Sequence, residues 1–334
     1  MNSKPKIGII PGDPGGIGPE IIAKLISQEN IRKKANILLI GDKHIFELGQ
    51  KQASLEFQTQ TFDNHELDWK IEDNILLYEN ETIKYSDISI AKISKENGHS
   101  SLSNLKLALD LAKNKTIDAI LFGPFNKASL ILAGMKFEDE LHFIADYLKI
   151  KNYISELNTL DGIWTSRVSS HIPLKSVSKF INEERIVQAV DLIDKTLKMS
   201  GITRPKLAVA ALNPHAGDNG NFGTEEIDII DPTIKKLKLK QINVDGPWPS
   251  DTVFLKAKNK EVDGIVTMYH DQGQIALKLM GFHKGVTVQG GIPFPITTPA
   301  HGTAFDIVGS GCAEIGAINA AFNIACDMTT TWKK

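Results

Sequence analysis

The chain has 334 residues, 42% of them hydrophobic, with 38 lysines and arginines against 40 aspartates and glutamates and a net charge of −2. So even a balance gives no electrostatic attraction for nucleic acid or an anionic bilayer, no apolar run is long enough to span a membrane, and the expected partner is a small molecule. The two cysteines, Cys312 and Cys326, lie in an apolar C-terminal segment and read as buried thiols of a reducing, cytoplasmic compartment.

In chain order, "MNSKPKIGII" reaches its first strand, "KIGII", too early for a signal peptide. "PGDPGGIGPE" and the helical "IIAKLI" follow. From Gly12 the order is G-x-x-G-G-x-G and then Pro19, which matches neither a dinucleotide fingerprint nor a Walker loop and has no lysine or hydroxyl after it. Pro19 suits the first turn of a helix. "NILLIG" is the next strand, and the polar, irregular stretch from Ala53 to Glu96 suggests hairpins covering one lobe. The helix "SLSNLKLALDLAKNK" leads to the strand "DAILFGP", and the helix "IVQAVDLIDKTLKMSG" to the strands "KLAVAALNP" and "DGIVTMYHD". Short apolar runs alternating with amphipathic helices predict an α/β chain with mainly parallel sheets, whose ligands bind at the carboxyl ends of the strands. At this length, two lobes with a cleft between them are expected.

Asn126, His215 and His270 stand at such ends, and His171 stands at a further strand end beside turn-forming residues. One histidine in this position is more often a structural hydrogen-bonding group. Three suit a catalytic divalent ion with open positions, and their wide separation excludes a zinc-finger type of site. Asp271 adjoins His270, and Asp251 opens "DTVF", where capping a helix is the plainer job. Lys127 and Lys278 are candidate anion-binding or acid/base groups. In "TTPAHGTAFDIVGSG", Asp306 can accept from a ribose and His301 can meet a base, although a plain loop into the last helix explains the segment equally well.

The ordered set "GDPGGIGPE", "GPFNK", "SSHIPL", "ALNPHAG", "GTEE", "PSDTVF", "MYHDQG", "KGVTV" and "HGTAFD" runs the whole chain and resembles the 4-hydroxythreonine-4-phosphate dehydrogenase family of vitamin B6 (pyridoxine) synthesis. More distantly, "GDPGGIGPE" and "HGTAFD" are similar to segments of the isocitrate and isopropylmalate dehydrogenases. The resemblance implies a two-lobed α/β/α fold with residues 1–127 and 300–334 on the cofactor side and 128–299 carrying metal, substrate and dimer contacts. It further implies NAD or NADP near His301, Thr303 and Asp306, and a divalent ion (Zn²⁺, Mg²⁺, Mn²⁺ or Co²⁺) on His171, His215 and His270, drawn from both subunits of a homodimer. Asp251 and Asp271 match acidic positions beside the ion, and Lys278 a contact to substrate. The implied chemistry is oxidation of a β-hydroxy acid with subsequent decarboxylation.

The chain departs from the family where the acid binds. The family's "GHTE" is replaced within "EDELHF", which puts Glu140 and Leu141 where a His-Thr pair contacts substrate. An asparagine and an arginine of the family align with Thr287 and Ile296. Losing an imidazole and an arginine while gaining Glu140 weakens the grip on a phosphate dianion. The expected outcome is the same chemistry on a different acid, either 4-phosphorylated threonate or erythronate or a cis-dihydrodiol of an aromatic dicarboxylate, with Arg167 and Lys175 as candidate replacement charges that otherwise read as surface residues. A non-catalytic binding relative is the reading from a different class, and retention of all three histidines argues against it.

Overall fold

The computed structural model describes residues 4–62, 69 and 75–332. The chain divides into two compact units, Met1–Lys151 with Ile292–Lys334, and Asn152–Gly291.

The first unit contains β1 (Lys6–Ile10), β2 (Asn36–Gly41), β3 (Thr59–Phe62), β4 (Ile75–Glu79), β5 (Ala119–Phe122) and β12 (Ile296–Pro299), to which the chain returns at its end. Their order is β3-β4-β2-β1-β5-β12 and every pairing is parallel. Strands buried on both faces read as unbroken apolar runs, which is why "KIGII" and "NILLIG" show no alternation and why Ile7, Ile9, Leu38, Leu39 and Ile40 are fully buried. The helices here are α1 (Gly18–Ser27), α2 (Glu29–Lys34), α3 (Lys43–Ala53), α4 (Lys95–Lys113), α5 (Lys127–Leu132), α6 (Glu140–Tyr147) and α12 (Gly316–Trp332). Side chains of Ser94, Asn126 and Asp139 cap α4, α5 and α6 by accepting from Asn97, Ser129 and His142 N–H groups.

In the second unit, β6 (Ser155–Leu160), β7 (Ile163–Arg167), β8 (Leu207–Ala210), β9 (Val244–Trp248), β10 (Gly264–Thr267) and β11 (Val286–Gly290) take the order β11-β6-β7-β10-β8-β9. β6 is antiparallel to both of its neighbours, and β7, β10, β8 and β9 run parallel. The helices are α7 (Val177–Phe180), α8 (Glu183–Met199), α9 (Asp231–Leu239), α10 (Val253–Lys258) and α11 (His270–Gly281). Leu160, Ile163, Ala208, Ala210, Val253, Phe254, Ile265 and Leu277 belong to one buried cluster of this unit.

Three expectations need correction. The Ala53–Glu96 stretch does not form hairpins among its described residues, because β3 and β4 pair in parallel with Thr59 opposite Ile75. The units divide at 151/152 and 291/292 rather than at 127/128 and 299/300, since α5 packs on α4 and β12 pairs with β5, both inside the first unit. Cys326 is buried, and burial pushes its thiol up to about 12, but Cys312 is exposed beside Ser310.

The glycine-rich turn is explained by packing of backbone on backbone. A Cβ on Gly12 would lie 2.5 Å from the carbonyl of Gly123, and one on Gly18 would lie 1.9 Å from the Pro11 oxygen. Gly12 also has φ of 81°, which disfavours any side chain. We therefore expect Gly12→Ala to destabilise the protein by about 2–3 kcal/mol through overpacking and backbone strain. A shift of the urea midpoint at unchanged slope tests this, and a wild-type midpoint would show that the turn has room to relax.

Candidate functional site

Parallel neighbours end at the same sheet edge, and this brings distant histidines of the second unit close together. His171 lies just past the end of β7, His270 opens α11 immediately after β10, and His215 follows β8, with β10 flanked by β7 and β8. The His171 and His270 ring centroids are 5.6 Å apart. Two imidazoles bound to one ion at a metal–nitrogen distance of about 2.1 Å place their centroids about 5 Å apart, so this pair fits two ligands of one ion. His270 Nδ1 donates to Asp271 Oδ1 at 2.7 Å, which leaves Nε2 as the ligand atom. His215 lies beside Phe222, with ring centroids 6.2 Å apart. The structure does not draw all three histidines into a set of mutually close ligand atoms. Among the described residues, the one such group is Glu138, Asp139 and His142 in the first unit, where Asp139 Oδ1 is already held by α6 as its cap.

Backbone strain marks the same edge. His171 has φ of 51°, and His215, Ala216, Gly217, Asp218 and Asn219 are all left-handed, with φ between 43° and 81°. A non-glycine residue in this region costs about 1–2 kcal/mol. Neighbouring side chains hold these loops in place. Glu226 Oε1 accepts from the N–H groups of Leu212 and Asn213 at 2.8 Å each. Gln272 Oε1 accepts from Met268 N at 2.7 Å, while its Nε2 donates to Ala211 O and Ser250 Oγ at 2.8 Å each. Sequence reasoning missed Gln272 and Glu226 as supports, although both lie inside the quoted motifs "MYHDQG" and "GTEE". Asp251 is exposed and does not cap α10, whose start has no side-chain cap.

Beside this edge, one face of β11, β6 and β7 is polar. Arg167 is 5% exposed, so it is not a surface residue. Its Nη2 donates to Glu156 Oε2 at 2.7 Å and its Nη1 to Asn158 Oδ1 at 2.9 Å, while Nε has no partner among the described residues. Asn158 Oδ1 also accepts from Gln274 of α11, and Asn158 Nδ2 donates to Thr287 Oγ1 at 3.0 Å. Gln289 is buried with its Oε1 unpartnered. Lys278 and Lys175 are exposed.

In the first unit, α1 holds the loop around His301. Ile17 N donates to Thr303 O at 3.1 Å. Glu20, fully buried, accepts from Ala313 N at 2.9 Å, and the three donors of Lys24 go to Glu20 Oε1 at 2.7 Å, Gly311 O at 2.8 Å and Ala313 O at 2.9 Å. Thr303 is buried, His301 half-buried and Asp306 exposed. The opening turn thus shapes this loop through Glu20, the last residue of "GDPGGIGPE", and through Lys24, one helical turn further along α1. Lys127 is exposed at the start of α5, Glu140 is half-buried at the start of α6, and Leu141 is buried in the core. Ile296 is fully buried in β12.

A model of the pyridoxal phosphate biosynthetic protein PdxA family matches residues 33–325. A protein of Pseudomonas aeruginosa named putative 4-hydroxythreonine-4-phosphate dehydrogenase 2 is 48% identical over 98% of this chain and 97% of its own length. One of Oceanobacillus iheyensis named putative D-threonate 4-phosphate dehydrogenase is 33% identical over 99% of this chain and 100% of its own. The structure of a putative 4-hydroxythreonine-4-phosphate dehydrogenase from Salmonella typhimurium superposes with a TM-score of 0.85 at 32% identity, covering 98% of this chain and 100% of that one. The chain belongs to the PdxA, or 4-hydroxythreonine-4-phosphate dehydrogenase, family of dehydrogenases acting on small molecules. No described helix is long and apolar enough to cross a membrane.

Asp13, in the opening turn, yields a pH prediction. Its Oδ1 accepts from Gly15 N at 2.8 Å and Asn97 Nδ2 at 3.1 Å, and burial pushes its carboxyl from 3.8 up to about 6. A raised value means that the folded state holds the proton more tightly. The resulting stabilisation is present below the unfolded value and is lost as pH rises through about 6. The displacement corresponds to at most about 3 kcal/mol. Asp13→Asn keeps the Oδ1 acceptor and should flatten this part of the stability profile between pH 4 and 6. Parallel wild-type and variant profiles in denaturant would refute the assignment.

Proposed function

We propose that this protein is a metal-dependent NAD(P) dehydrogenase that oxidises the hydroxyl of a β-hydroxy acid, after which the β-keto acid loses CO₂. The observation that carries the reading is the His171–His270 pair at adjacent parallel strand ends, with His215 on the loop after the next strand. A divalent ion there supplies Lewis acidity to the hydroxyl and the carbonyl it becomes, and NAD or NADP supplies the hydride acceptor. His171, His215 and His270 Nε2 bind the ion, and Asp271 keeps His270 in the tautomer that can do so. Asp251 and Asp271 add carboxylate charge beside it. Lys278 and Thr287, in the second unit, contact the acid; Lys127 and Glu140, in the first, take from the family resemblance the roles of proton carrier and of a carboxylate at a substrate position. His301, Thr303 and Asp306 hold the adenosine, the last by accepting from the ribose. A second copy of the chain completing the centre is supported by the exposure of Leu174 (71%), Ile275 (59%) and Leu279 (85%) in the unit that carries the histidines.

The acid is expected to differ from 4-hydroxythreonine 4-phosphate. The two apolar residues at the family's substrate positions, Leu141 and Ile296, are packed into the core and offer that compound nothing. A 33% identical relative bears the name putative D-threonate 4-phosphate dehydrogenase, which favours a phosphorylated sugar acid. An aromatic cis-dihydrodiol dicarboxylate is the further candidate. Nicotinamide reduction by metal-loaded protein with 4-hydroxythreonine 4-phosphate, D-threonate 4-phosphate, D-erythronate 4-phosphate and a dihydrodiol dicarboxylate tests the function. We expect one of the last three to exceed the first in kcat/KM by about tenfold or more, a 1.4 kcal/mol difference in transition-state binding. Reduction with none of the four defeats the function, and equal turnover of the first defeats the altered substrate.

Four substitutions test the roles. His171→Ala, His215→Ala and His270→Ala should each abolish turnover and lower metal stoichiometry while leaving the far-ultraviolet dichroism unchanged, and wild-type activity in metal-free His215→Ala would refute the ligand set. Asp306→Ala should raise the KM for NAD(P) more than that for the acid, by about 1–3 kcal/mol in binding terms. An unchanged cofactor KM would remove Asp306 from the adenosine site.

A further inference from the structure

We propose that Arg167 and Asn158 are positioning residues that fix the hydrogen-bond polarity of Thr287, so that its hydroxyl donates to an oxygen anion of the bound acid. This rests on the reading that Thr287 contacts the acid.

The donors and acceptors form a chain that begins at Arg167. A guanidinium has N–H donors and no acceptor, so the Asn158 atom 2.9 Å from Arg167 Nη1 must be the amide oxygen. Gln274, whose amide can present either end, donates its Nε2 to the same oxygen and so follows the orientation that the guanidinium sets. The Asn158 NH₂ is thereby turned toward Thr287, its register partner on β11, and donates to Thr287 Oγ1 at 3.0 Å. An NH₂ group cannot accept, so the Thr287 proton points away from Asn158. Among the described residues it has no other acceptor, and Thr287 is half-buried rather than sealed. A fixed, outward donor at a partly open position matches a carboxylate or phosphoryl oxygen.

The same geometry removes Arg167 as a replacement phosphate ligand. Glu156 Oε2 lies 2.7 Å from Nη2, so the partly buried pair is formally neutral, and a dianion would have to displace Glu156 from the guanidinium. Arg167 therefore acts through Asn158 and not by its charge.

The test moves the carboxylate two residues along β6, on the same face. In Glu156→Gln combined with Asn158→Asp, the formal charge of the cluster is unchanged and Arg167 keeps an anionic partner. The group facing Thr287, however, can now only accept, and the Thr287 proton turns inward. With metal-loaded protein, we expect the Kd for D-threonate 4-phosphate to rise about 10–100-fold in this double variant and in Thr287→Val, with the Kd for NAD unchanged. A merely structural network would shift Tm and leave the two ligands equally affected. The same variants measured with unphosphorylated D-threonate identify the anion: an equal loss assigns the carboxylate, and a loss confined to the phosphorylated compound assigns the phosphoryl group. Wild-type affinity in the double variant alongside weakened binding in Thr287→Val overturns the polarity relay, whereas wild-type affinity in Thr287→Val overturns the contact on which it rests. If the double variant does not fold, a ligand-free measurement decides. In protein labelled with ¹⁵N in asparagine side chains, the amide signal moved by Thr287→Val should exchange with solvent about tenfold more slowly than an exposed asparagine, as expected for a bonded, buried NH₂. Exchange at the exposed rate overturns the proposal.

Discussion

The parallel pairing of β7 with β10 and of β10 with β8 is the constraint on which the histidine edge depends. In an antiparallel arrangement, successive strand ends point to opposite edges of a sheet. Here three neighbouring strands end on one edge, so residues 171 and 270 approach despite their sequence separation, and residue 215 follows the end of the third. The loops must then turn sharply to present side chains at the edge, and two of the three histidines occupy left-handed backbone. Strain of this kind persists only where the surroundings hold it, and Glu226 and Gln272 do so with bonds to the backbone of Leu212, Asn213, Met268 and Ala211. The histidine edge is accordingly built from loops whose shape is set one residue layer further out.

The first unit solves a different problem with the same strand ends. Its glycines let backbone approach backbone where β1 meets β5, and α1 then begins at a position from which Glu20 and Lys24 reach the 311–313 segment. Glu20 and Lys24 are an i,i+4 pair, yet Lys24 gives two of its three donors to backbone carbonyls. The pair serves the loop more than the helix.

Strands buried on both faces were legible, because unbroken runs such as "NILLIG" have few alternative uses, and so were α4 and α8 from their periodicity. The β6–β7 hairpin was not noticed, although its Asp161–Gly162 turn, with φ of 46° and 88°, carries the aspartate-glycine signal that such two-residue turns favour. β3 was hidden by its polar sequence, "TQTF". The histidines were visible as positions after strands, but their proximity depends on strand order, which a local pattern does not contain. The polar face was the hardest to see. Glu156 and Asn158 alternate on β6, and Thr165 and Arg167 on β7, which is the pattern of a solvent-facing surface, whereas here the polar residues are paired across strands beneath Gln274.

That face is costly, and the cost bears on why it exists. An apolar set of similar volume at Glu156, Asn158 and Arg167 would avoid removing two charges from water, and such replacements in other proteins are often neutral or stabilising. The network is also incomplete. Arg167 Nε and Gln289 Oε1 have no partner among the described residues, and each unmet buried group costs about 1–3 kcal/mol. Stability therefore gives a weak account of these residues. Orientation gives a stronger one, because a donor-only guanidinium fixes the direction of an asparagine amide that is otherwise free to turn over. That amide in turn decides whether Thr287 presents a proton or a lone pair, and an apolar face would leave this choice open.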